Sequence, residues 1–327
     1  MLVKKGDTGR NVKEIQSLLD FHGFWTYYTI TDYFGSVTEE AVINFQRAKK
    51  LDDDGIVGDK TLNKLLEGVD ADDYTIDDAP SKVDKDNKLN YLGEYTTKTG
   101  ININKVYLDD DEYVKDYGKI KPEWFFIHHT AGGHNPISTI GNWNTDTRGR
   151  VATQYCIGGI STKDGNADHD GMIVECFPNN YIGWHLGQVG DFNMSKYSSA
   201  VEINSYGYLT KTGDKYYNAY GGLVPKDMVC DLGYKFKGRQ YWHLYTDKQM
   251  EAIEGLLKHI AHIYPNIPLS AGIPQLLKDG VHPRDAFDFN SDAYNGKIKG
   301  TWSHTSVRNG KMDAYPDPRL VEILKQL

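Results

Sequence analysis

The run WFFIHHTAGGH, Trp124 to His134, sets two histidines at the end of an apolar stretch and directly before a glycine-rich turn. In a strand, alternation would put Phe126 and His128 on one face and Phe125 and Ile127 on the other. His128 can then face a cleft while the strand stays anchored; the alternative is a hydrogen-bonded structural histidine. His129 suits a turn or a supporting contact. Near the other end, Trp302 to Asp313 gathers His304, Lys311 and Asp313 in one short loop-like run. Two imidazoles and a carboxylate can surround Zn²⁺ and leave a fourth position for water or a carbonyl oxygen, the open arrangement of catalytic zinc. The spacing is not itself a metal motif, and the chain has neither HExxH nor a close cysteine pair. On the residues alone, a surface loop with an ordinary Asp–Lys pair remains the other reading.

These residues need elements to hold them. Short strands are expected at Trp124–His128, Gln154–Ile160, Met172–Phe177 and Ala200–Ile203, followed by a helix over Asp247–Ile263. In that helix Met250, Ile253, Leu256, Leu257, Ile260 and Ile263 form the buried stripe, and Pro265 limits its continuation. Tyr206–Tyr245, rich in Gly, Tyr and Lys, reads as an insertion or a long substrate-side loop with some strand or short helix possible, since so long a structureless loop is unusual. Residues 1–67 read as a separate helical unit: Val12, Ile15, Leu18 and Leu19 recur at helical spacing. Two related turns, Asp32-Tyr-Phe-Gly35-x-x-Thr38 and Asp54-Gly-Ile-Val-Gly58-x-x-Thr61, precede the second and third helices, with Thr38 expected to cap the second.

Between the units, Gly68–Lys88 holds seven Asp and three Lys, a net charge of -4. Such a segment repels itself and offers little apolar area, so residues 68–90 read as an acidic linker. The whole chain of 327 residues carries -8, which removes the simplest argument for nucleic-acid binding. No apolar run is long enough to span a bilayer. Cys156, Cys176 and Cys230 are odd in number and widely spaced, suggesting neither a disulfide framework nor a metal pair; a reducing compartment is expected.

HHTAGG, Thr153-Gln-Tyr-Cys-Ile157, Trp184-His-Leu-Gly187, Ser199-Ala-Val-Glu-Ile203 and the His304…Lys311-x-Asp313 run, in that order, resemble the zinc-dependent N-acetylmuramoyl-L-alanine amidases of the phage-lysozyme, bacterial amidase and peptidoglycan-recognition superfamily. The resemblance spans about 122–327. It implies an α/β fold, a central mixed β-sheet flanked by helices, in a domain of residues 91–327. It further implies that His128, His304 and Asp313 ligate Zn²⁺ and that Glu202 and Lys311 are catalytic. His185, Trp184, Tyr155 and Trp143 are expected to line the substrate site. Two departures are visible: Thr153 and Gln154 replace the family's frequent Tyr or His before the second strand, and Asp313-Ala-Tyr-Pro-Asp-Pro318 replaces an Asp-Pro-Gly ending. Asp317 is therefore a lesser ligand candidate.

The N-terminal unit, through GDTG, DYFGSVT, VINFQ and DGIVGDKT, resembles the peptidoglycan-binding domain often attached to cell-wall hydrolases. Tyr27 and Tyr28, with the parts near Asp32 and Asp54, are its contact candidates. Together the resemblances imply a monomeric hydrolase whose partner is bacterial peptidoglycan, without nucleic acid or stable membrane insertion. A phage endolysin stored in the host cytoplasm fits the missing signal core; a virion-associated or otherwise exported enzyme would look similar. A noncatalytic recognition protein and a zinc endopeptidase of the wall peptide are the alternatives.

Overall fold

The computed structural model describes residues 2–25, 31, 33–67, 89–115, 121–146, 150–187 and 194–327. Tyr27, Tyr28, Asp32 and the Gly68–Lys88 linker lie outside the described residues.

Three helices, α1 (Arg10–Phe21), α2 (Ser36–Ala48) and α3 (Asp59–Leu65), close around Val12, Ile15, Leu18, Leu19, Phe34, Val42, Phe45 and Leu65. The two related turns do related work. Gln16 Nε2 donates to Thr38 Oγ1 (2.9 Å) and to the Tyr33 carbonyl (3.0 Å); Gln46 Nε2 donates to Thr61 Oγ1 (3.1 Å) and to the Ile56 carbonyl (2.9 Å). A buried glutamine on each helix thus ties down the turn that starts the next one, satisfying polar groups that burial would otherwise penalise. Thr38 does not cap α2: Gly35 takes that position, and Thr38 lies buried inside the helix. Its hydroxyl answers Gln16, which fits the first turn of a helix as well as a cap would.

The remaining chain builds a seven-stranded sheet ordered β1-β2-β5-β4-β6-β3-β12. Its strands are β1 (Asn90–Thr96), β2 (Asn102–Tyr107), β3 (Trp124–His129), β4 (Tyr155–Ile157), β5 (Ile173–Glu175), β6 (Ser198–Ile203) and, after an inserted sheet, β12 (Gly300–Ser303). β3 lies one strand in from the β12 edge, parallel to both β6 and β12, and every one of its residues is buried. That explains its nearly unbroken apolar sequence, since a parallel strand is covered on both faces. Before residue 122, β1 and β2 form an antiparallel hairpin that joins the sheet through β5.

The stretch Tyr206–Tyr245 forms a second, five-stranded sheet ordered β10-β11-β7-β8-β9. It contains β7 (Tyr208–Thr212), β8 (Lys215–Tyr217), β9 (Leu223–Val224), β10 (Val229–Phe236) and β11 (Arg239–His243). Trp242 anchors it to the main core, stacked on Tyr315 at 4.9 Å. Helices cover the large sheet: α4 (Pro136–Asn144), α5 (Asp247–Ile263), α6 (Ile273–Lys278), α7 (Pro283–Ala286), α8 (Ser291–Tyr294), α9 (His304–Val307) and α10 (Pro318–Lys325). α5 has the expected bounds because Thr246 and Gln249 form a reciprocal capping box at its start. Among the described residues no helix is long and apolar enough to cross a membrane.

Candidate active site

The parallel strands end on one edge, and there the chemistry collects. His128 is next to last in β3, and its register partner in β6 is Glu202. Neighbours in register point to the same face, about 5 Å apart along the sheet. On the other side β12 pairs Ser303 with Ile127, so His304, the first residue of α9, arrives beside His128. Thr305 N–H donates to the Asp313 carbonyl (3.0 Å), folding the loop back over α9. Ligand sites at the carboxyl ends of parallel strands follow from this topology.

His128 Nδ1, His304 Nδ1 and Asp313 Oδ2 converge: the two nitrogens are 3.1 Å apart, and each lies 3.0 Å from the carboxylate oxygen. The hydrogen bonds behind them settle where the protons sit. Ser198 Oγ donates to the Met194 carbonyl (3.1 Å), which leaves it to accept from His185 Nε2 (2.8 Å). His185 Nδ1 is then an acceptor, and His128 Nε2 must donate to it (3.0 Å). His304 Nε2 faces the Leu186 carbonyl (3.3 Å) and must donate likewise. Both Nδ1 atoms are therefore bare. Burial also lowers His128 to about 4, keeping it neutral.

Three lone-pair atoms thus face each other with no proton between them. A cation resolves that repulsion, and the set of two imidazoles and one carboxylate suits zinc. The donor separations approach the edge of about 3.3 Å that zinc's usual bond lengths give a tetrahedron.

Glu202 carries an orphan. Its Oε2 is shut away from solvent with no hydrogen-bond partner among the described residues. Burial pushes its carboxyl well above the ordinary range, the Asp313 charge adds to this, and the Lys311 ammonium opposes it. Lys311 follows α9 in the same loop as Asp313, its backbone N–H bonded to the Arg308 carbonyl (3.0 Å).

The remaining site candidates divide. His185 is not a substrate contact: both its ring nitrogens are taken, by His128 and Ser198, so it stands behind the donor set. Tyr155 is fully buried in the main core, its hydroxyl 3.4 Å from Asn179, and cannot line a cleft. β4 turns it to the face opposite Cys156, the register partner of Glu202. Trp143 is partly buried against the cluster of Val106, Leu108 and Ile140. Trp184 adjoins His185 and donates its backbone N–H to the Arg150 carbonyl (2.8 Å). Asp317 caps α10 and bonds Arg319 and Tyr315, away from the donor set. Gln154 is spent in a buried network with Ser199, Asn179 and Tyr264. The supporting roles of Ser198 and the Leu186 carbonyl had no signal in the residue pattern, since a serine and a main-chain oxygen look alike everywhere in a sequence.

The profile of the N-acetylmuramoyl-L-alanine amidase family matches residues 118–293, more than half of the chain. The chain belongs to this amidase family. The profile of a peptidoglycan binding domain matches residues 8–65. The amidase match includes His128 and Glu202 but stops short of His304, Lys311 and Asp313; the fold returns those three to the site. No curated protein matches. Among solved structures, the amidase chain is similar to the SleB N-terminal domain (35% identity, 21% of this chain, 92% of that one, TM-score 0.20). It is also similar to PlyL (14%, 68% and 94%, 0.35) and to the E. coli N-acetylmuramyl-L-alanine amidase AmiD in complex with its substrate (14%, 72% and 97%, 0.31).

The hydrogen-bond chain behind His128 in this amidase makes a specific prediction. Ser198→Ala removes the acceptor for His185 and loosens the proton order that bares His128 Nδ1. Zinc affinity, measured by competition with a chromophoric chelator, should fall about 10- to 100-fold. Unchanged affinity would show that His185 orients nothing.

Proposed function

We propose that the chain hydrolyses the amide joining the lactyl group of N-acetylmuramic acid to L-alanine in peptidoglycan, with Zn²⁺ held by His128, His304 and Asp313. The convergence of three unprotonated donor atoms beside an unpartnered Glu202 oxygen, in a chain of this family, carries the reading. Zinc at that position would polarise the amide carbonyl and make a bound water more acidic. Glu202 supplies the proton traffic. Its raised basicity favours taking a proton from the attacking water at Oε2, and the same carboxyl then delivers it to the departing alanine nitrogen. Lys311 places positive charge where the carbonyl oxygen becomes negative. Trp184 and Trp143 are the aromatic candidates for the substrate wall, and residues 1–67, joined through 68–90, form the wall-binding module. The amidase match and the separate N-terminal core support this division.

The deciding experiment identifies the new chemical ends. Purified wall digested with the zinc-loaded protein should release stem peptides bearing a free L-alanine amine, seen by dinitrophenylation and mass spectrometry. New amines on any other residue would make the chain an endopeptidase. Saturable wall binding with no new ends would make it a recognition protein.

A further inference from the structure

α1 is covered on two sides. Val12, Ile15, Leu18 and Leu19 face the core of the N-terminal unit. Ser17 lies on the opposite side of the helix and Glu14 on its flank, surfaces that a small free-standing module leaves largely to water, yet they are 3% and 4% exposed. Burying a carboxylate is costly unless a cation comes with it. One does: Arg150, from the amidase part of the chain, pairs with Glu14, both side chains being 5% exposed. Arg150 is itself fixed by its Nε donating to the Asp111 carbonyl (3.2 Å) and its backbone N–H to Glu112 (3.4 Å). A second pair stands one to two turns along. Asp20, in the last turn of α1 where the helix dipole disfavours an anion, meets Lys196 Nζ at 2.7 Å, both side chains 14% exposed.

Both contact points lead to the back of the active site. The Arg150 carbonyl accepts the N–H of Trp184, immediately before His185. Lys196 belongs to the short 3₁₀ turn Met194–Tyr197, whose Met194 carbonyl accepts from Ser198, the residue that holds His185.

We propose that the polar face of α1 is a docking surface whose occupant is the amidase domain of the same chain, latched by Glu14–Arg150 and Asp20–Lys196. The N-terminal module and the catalytic site therefore hold a set geometry, and the module braces the segments that position His185. Both latch points are ion pairs with little exposure, so reversing one charge brings like charges together in a half-dry contact.

Small-angle X-ray scattering of the full chain tests this without reading activity, so its outcome is separate from which amide the protein cuts. The wild type should scatter as one compact body. Asp20→Lys and Lys196→Asp, each checked for native circular dichroism, should lengthen the maximum dimension, and the double reversal Asp20→Lys/Lys196→Asp should restore it. Glu14→Gln, which removes the Glu14 charge from the pair with Arg150, should also expand the particle. A wild-type profile of two independently moving bodies would overturn the proposal. So would single reversals that leave the profile unchanged, or an expansion that the double reversal fails to undo.

Discussion

His128→Ala leaves the protein folded but without bound zinc, and its amide hydrolysis falls by about 10³-fold or more. The magnitude follows from the several kcal/mol that a Lewis-acid ion contributes to a charged transition state, each 1.4 kcal/mol being about tenfold in rate. The specificity of the effect follows from geometry. His128 supplies one of three donor atoms, and its Nε2 joins the donor set to the His185–Ser198 chain. Alanine removes both at once. Because every residue of β3 is buried, the variant must be shown to keep the wild-type near-ultraviolet dichroism before the loss is read as chemical. Zinc is then counted by atomic absorption after gel filtration, with about one ion per wild-type chain as the reference. Removing metal from the wild type with a chelator should reproduce the loss, and added zinc should reverse it in the wild type alone. A variant that keeps a full equivalent of zinc and its turnover would remove His128 from the ligand set.

Glu202→Gln gives a different signature: zinc stays, KM changes little, and kcat falls by about 10²- to 10⁴-fold, the range that general acid–base catalysis contributes. The substitution is nearly isosteric, and Glu202 is no member of the donor set, so the metal has no reason to leave. What disappears is a proton acceptor. In the wild type Oε2 is buried without a hydrogen-bond partner among the described residues, a costly placement that fits the proposed role in proton transfer. Glutamine puts an amide at that position that cannot take up the water's proton or return it to the amine. Retained turnover within threefold of wild type would show that another group carries the proton. The two variants together separate the metal from the base, since one loses zinc and activity and the other loses activity alone.

Much of this protein was legible before folding. β3 could be read because a parallel strand buried on both faces must be apolar along its length, so His128 and His129 stood out in it. α5 was readable to its bounds because its apolar stripe and its cap are both local. The paired turns before α2 and α3 announced themselves by repetition, although Thr38 was assigned the wrong task. A threonine near a helix start satisfies a cap and a buried glutamine equally well in one dimension, and only Gln16 packed against it tells them apart.

Residue types and their order, with the likeness they bear to a family, determined the class of fold and the amidase family, and named the residues proposed to carry the chemistry. Tertiary structure decided the arrangement. Whether His304 and Asp313 reach His128 depends on β12 pairing in parallel with β3 across 176 positions of chain, and no local pattern encodes a register. Tyr155 and His185 changed roles for the same reason. An aromatic ring or an imidazole has similar local preferences in a core, in a cleft or behind a metal ligand, and its function is set by which partners the fold brings to it. The latch between Glu14 and Arg150 lay deepest of all: two charges on separate units say nothing of each other until the units are docked and water is gone from between them.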